Sequence, residues 1–145
     1  MNPLLVDIKD MLTAEISSLH PLTLGDNLHI SRMPETPTNC VSLYDTSSSP
    51  SQMTMDDAPG TDIKNGSFQV LVRNTGWMAC YEQAAAIEEV LQGKANELWN
   101  NTYYLFIEKL SGPMQLMSQQ DGISQKNPQY LLSMNFTVKR SKQII

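Results

Sequence analysis

The stretch Phe68-Gln69-Val70-Leu71-Val72-Arg73, followed by Asn74-Thr75 and then by a helical pattern over 76–92, decides the fold. Its aromatic and β-branched residues read as a strand. The run after it places Trp77, Cys80, Tyr81, Ala84, Ile87 and Leu91 at intervals of three and four, the period of one helix face. Asn74 or Thr75 can cap that helix, and Gly93 stands where a left-handed C′ residue belongs. A strand that leads directly into an amphipathic helix implies a sheet with helices packed on it.

Downstream, a polar link leads to a second β run over 103–110, and then to a segment, 111–129, punctuated by Gly112, Pro113, Gly122 and Pro128 that reads as a loop. The last strand, 130–140, alternates. Tyr130, Leu132, Met134, Phe136 and Val138 point one way, and Ser133, Asn135, Thr137 and Lys139 the other. Upstream, 46–66 is rich in Ser, Pro, Asp, Gly and Met without usable period, and reads as a long loop. Before it lie two short alternating strands, Cys40-Val41-Ser42-Leu43-Tyr44 and Leu28-His29-Ile30, separated by Pro34 and Pro37. The chain begins with an amphipathic helix over about 3–18, with Asn2 able to cap it and Leu5, Ile8, Leu12, Ile16 and Leu19 on one face. The expected order is α-β-β-β-α-β-β. This is an α+β fold in a single domain spanning 1–145, with a mixed, mainly antiparallel sheet of four to five strands and both helices on one face.

Composition narrows the function classes. A net charge of −5 with no lysine or arginine stripe argues against a nucleic-acid backbone as main partner. No apolar run reaches the roughly 18–20 residues of a membrane helix. The start, Met1 to Asp7, lacks the basic opening of a signal peptide, so the expectation is a protein made and kept in a cytoplasm.

Groups that could do chemistry are scarce. Cys40 and Cys80 have no partner at metal-ligand spacing and fit apolar patterns, which predicts buried free thiols. His20 and His29 have no converging acid or cysteine and read as surface or edge residues. Asp56, Asp57 and Asp62 lack the offsets of a calcium loop, and Glu88-Glu89 reads as a solvated face. Lys139, Arg140 and Lys142 form a basic cluster of the kind that solubilises or guards a strand edge. Phosphate loops and nucleophile elbows are missing. The expectation is no enzyme, with no catalytic residue, metal or cofactor.

Gln69-Val70-Leu71-Val72-Arg73 with Tyr81, Ala84, Ile87, Leu91 and Gly93 resembles the core of the small phage proteins known as tail terminator or minor capsid proteins. The early strand Asn39-Cys40-Val41-Ser42-Leu43-Tyr44 and the closing Asn135-Phe136-Thr137-Val138 look like the same family, so the likeness spans most of the chain. The long 46–66 loop and the polar insertion 94–101 carrying Trp99 depart from it.

The resemblance implies a virion structural protein of the head–tail junction, assembled in the host bacterial cytoplasm. It implies a homohexameric ring that caps the tail tube, stops its polymerisation and offers its other face to a head-completion or connector protein. The alternative is a head-completion or other connector component. Implied partners are further copies of the chain, the tail tube protein and the connector, with genomic DNA passing through the lumen without specific binding and no membrane involved. Met53, Met55, Trp99, Met114 and Met117 are apolar residues in polar segments, which marks them as candidate assembly contacts, although folding back onto the domain fits the pattern equally. Asp56, Asp57 and Asp62 are candidate lumen-facing acids, since lumenal carboxylates repel phosphate.

Overall fold

In β3 (Lys64–Asn74), Phe68, Val70 and Val72 are fully buried while the residues between them are half-covered, as alternation requires. The computed structural model describes residues 2–46, 63–121 and 124–142. Around β3 it places α1 (Leu4–Glu15), β1 (Leu28–Ile30), β2 (Cys40–Asp45), α2 (Trp77–Leu91), β4 (Ala95–Trp99), β5 (Thr102–Asp121) and β6 (Ser124–Ser141). The strands form one sheet in the order β1-β2-β3-β6-β5-β4, with β1 parallel to β2 and every other pair antiparallel.

The α+β class and the mixed, mainly antiparallel sheet agree with expectation; the strand count of four to five does not, because the sheet has six. The added strand is β4, in the segment expected to be a polar link. It pairs Trp99 with Thr102 across a two-residue turn in which Asn100 (φ 50°) and Asn101 (φ 63°) are both left-handed. Two consecutive left-handed residues make the hairpin turn whose twist matches that of the strands it joins, and asparagine tolerates that backbone best after glycine.

The expected loop over 111–129 is also corrected: it is the far half of β5 and the start of β6. Gly112 and Pro113 do not end the strand because both are absorbed into a bulge between the Ser111–Asn135 and Met114–Ser133 pairs. At Gly112 (φ 97°) a Cβ would lie 2.3 Å from the Ser133 carbonyl oxygen, so only glycine fits. Pro128 is tolerated because β6 has left β3 by then; their pairing ends at Asn74–Tyr130.

One hydrophobic cluster joins the inner sheet face to both helices. Cross-strand neighbours Val72–Leu132, Val70–Met134 and Phe68–Phe136 share that face, and the two phenyl rings stack at 5.1 Å. From α1 come Leu4, Leu5, Ile8, Met11 and Leu12, and from α2 Cys80, Ala84, Ile87 and Leu91. The helix ends differ slightly from expectation. Neither has a side-chain cap, α1 stops at Glu15 and leaves Leu19 84% exposed, and Trp77 is 48% exposed. Gly93 is left-handed (φ 78°), as its position after α2 suggests.

Candidate assembly surface

The β5–β6 hairpin positions everything distinctive about this molecule. At its root, Tyr104 pairs with Arg140 beneath α1. Asp7, on the buried face of α1, is fully enclosed. Its carboxylate accepts hydrogen bonds from the Tyr104 hydroxyl and from Asn100 Nδ2 (2.7 Å), with Arg140 Nη1 4.0 Å away. Arg140 also donates to the Asn2 carbonyl at 3.0 Å. Burial, and then the Asp7 carboxylate, push the Tyr104 phenol well above its ordinary range. Lys9 and Asn100 hold Asp10 below the usual carboxylate range. Of the basic cluster, Arg140 is built into the fold and Lys139 Nζ lies 5.9 Å from the centre of the Phe106 ring, while Lys142 is exposed.

Farther along, the hairpin loses its neighbours. β4 accompanies β5 only as far as Phe106. The Lys94 carbonyl then accepts from Ile107 N–H (2.8 Å), Gly93 N–H donates to the Ile107 carbonyl (3.1 Å), and Gln92 Oε1 accepts from Lys109 N–H (2.6 Å). Beyond Lys109 no described strand lies along that side of β5. On the other side, β6 residues 124–129 extend past the end of β3, so the hairpin continues as a two-stranded arm of about 20 Å. Leu110, Met114 and Leu116 are 61%, 54% and 48% exposed.

The sequence candidates are distributed unevenly over this geometry. Met114 lies on the open stretch of β5 and is exposed; Met117 lies farther along the same strand, paired in register with Leu131. Trp99 is half-buried against the core, donates to Glu97 Oε1 (3.1 Å), and has Lys94 Nζ 5.5 Å from its ring. Lys94 is itself buried and bridges Glu15 and Glu97, so this corner closes β4 onto α1. Met53, Met55, Asp56, Asp57 and Asp62 lie outside the described residues. Sequence reasoning missed Leu110 and Leu116. The signal that could have found them is the run 110–120, eleven residues without a charge.

The open end of the sheet is also braced. Arg73 donates to the carbonyls of Thr38 (2.9 Å), Pro37 (3.1 Å) and Glu35 (3.3 Å), as well as Pro34, so one guanidinium fixes the whole 34–38 turn beside the base of the arm. Both cysteines are buried and free, and burial pushes the Cys80 thiol up to about 11. His29, expected at the surface, is buried and within hydrogen-bond distance of the Asp26 carbonyl (3.0 Å). Among the described residues there is no cluster of acids, histidines and cysteines that could hold a metal ion, and no helix long and apolar enough to cross a membrane.

The family described as bacteriophage tail terminator protein matches residues 4–142. No curated protein matches. A chain from the virion of a native gene transfer agent particle has the same fold, with a TM-score of 0.55 and 17% identity over 95% of this chain and 94% of that one.

Proposed function

The chain belongs to the bacteriophage tail terminator family and is a phage virion structural protein, and from this we propose that it closes as a ring on the finished tail tube, stops tube polymerisation and presents its far face to the head connector. The match of that family to nearly the whole chain carries the reading. The likeness in fold to a chain of a gene transfer agent virion supports a place within a particle. A terminator needs two unlike faces, one complementary to a tube ring and one that does not template another. Repeated contact between unlike patches of identical copies closes such a ring, and a hexamer is the expected count.

The acids complete the proposal. With a net charge of −5, a ring of these chains offers a conduit from which DNA phosphate is repelled, and Asp56, Asp57 and Asp62 are the residues proposed to line it. The deciding experiment is electron microscopy of lysates in which the gene is deleted. Overlong, irregular tails are the expected result. Tails of normal length lying unattached beside filled heads would overturn the terminator role and assign the chain to head completion.

A further inference from the structure

We propose that the open edge of β5, beginning at Leu110 and continuing along the arm, is where one copy of this chain binds the next, through addition of a strand from the neighbouring copy. This rests on the ring reading above and names the surface through which the ring closes.

The case begins with the edges of the sheet. A strand edge exposes unpaired N–H and C=O groups that template pairing with another chain, and folded proteins usually blunt it. Here two edges are blunted. β1 is three residues long, and its Leu28 donates to the Thr23 carbonyl (3.2 Å) while its carbonyl accepts from Gly25 N–H (2.9 Å). β4 is five residues long, kinked at left-handed Asn96 (φ 56°), and carries Glu97. β5 beyond Lys109 is interrupted by bulges, one of them carrying Pro113, but it is neither short nor charged before Asp121. It is long, carries exposed Leu110, Met114 and Leu116, and has no charge from 110 to 120.

Charge distribution points to a second copy as the occupant. Two chains of net charge −5 repel each other over most of their surface. Across 110–138, only Asp121 and Lys126 are charged, so identical copies meet there without opposing like charges. β2 ends and β3 begins toward the Asp45–Phe68 side of the sheet, and the described part of β6 finishes on that side too, opposite to the arm. A two-stranded ribbon standing alone is marginal in water, so the arm needs a body to lie against. Joining β5 of one copy to a different strand of the next makes a contact between unlike patches, which a rotation can close.

Native mass spectrometry and sedimentation of the full chain, with amide hydrogen exchange of the same samples, test this. The wild-type oligomer is expected to protect the amides of 110–116 relative to the dilute monomer. Met114→Lys combined with Leu116→Lys should weaken self-association by about a hundredfold or more while leaving the thermal midpoint of the dilute monomer in place, because the lysines would be buried against a neighbour only in the oligomer. If the variant assembles like wild type, or those amides exchange equally fast in the oligomer, the edge proposal falls and the ring reading stands. If wild type forms no ring alone or on purified tail tubes, the ring reading falls and takes the edge with it. Protection that appears only when tube protein is added, without self-association, overturns the second copy as occupant in favour of the tube. The exchange measurement on wild type stands alone should the double variant fail to fold.

Discussion

The root and the tip of the β5–β6 hairpin belong to the same two strands yet carry opposite chemistry. At the root, Asp7, Tyr104, Asn100 and Arg140 concentrate charge and hydrogen bonds under α1, each of the four joined to another. Toward the tip, charge nearly vanishes, the flanking strands stop, and apolar side chains stand in solvent. Polar groups secure the fold where they can be fully paired, and they are withheld where the molecule is expected to meet copies of itself. A buried charge with a missing partner is costly, whereas an apolar edge without a neighbour costs little until an association partner arrives.

The largest test of that contrast is Asp7→Ala. It leaves the buried Tyr104 hydroxyl unpaired and Arg140 without its carboxylate, while Asn100 keeps only Asp10, and should lower stability by about 3–5 kcal/mol in denaturant titration. A loss under about 1 kcal/mol would mean that the root is not held by this network. Gly112→Ala comes next, at about 1–3 kcal/mol, because it puts a side chain into a left-handed residue against the Ser133 carbonyl. Its effect should be sharpest in hydrogen exchange around the bulge and weak at the root.

Alkaline titration separates the two regions by pH. The Tyr104 phenol is raised in the folded state, so its contribution is complete below the ordinary value of 10.0 and is lost as pH rises above it. Tyr104→Phe should flatten that alkaline decline and cost about 1.5–3 kcal/mol at neutral pH, read from urea unfolding at several pH values. Smallest of all is Met114→Lys in the dilute monomer, expected to change stability by no more than about 0.5 kcal/mol. A large loss there would show Met114 to be part of the monomer's packing and would erase the distinction between tip and root.

Much of this was legible in the residues. The alternation of Phe68, Val70 and Val72 and of Leu132, Met134, Phe136 and Val138 identified both central strands and their buried face, and Gly93 marked the end of α2. The candidate site was less legible. Met114 is exposed on β5, whereas Trp99, chosen on the same ground, packs against the core beside Lys94. Exposure of a lone apolar residue depends on what lies across from it, and one stretch of sequence does not contain that information.

The sequence by itself determined the class of fold, the inward faces of β3 and β6, both helices and the scarcity of reactive groups, because periodicity and composition are local properties of the chain. Only the tertiary structure decided that Asn100-Asn101 turns a hairpin, that Gly112-Pro113 is a bulge inside a twenty-residue strand, and that no described strand flanks the outer side of β5 beyond Lys109. Strand extension is set by hydrogen bonds to a partner distant in sequence. Breakers such as Gly112, Pro113 and Pro128 can therefore lie inside strands once the ladder around them supplies room, or needs no donor at that position.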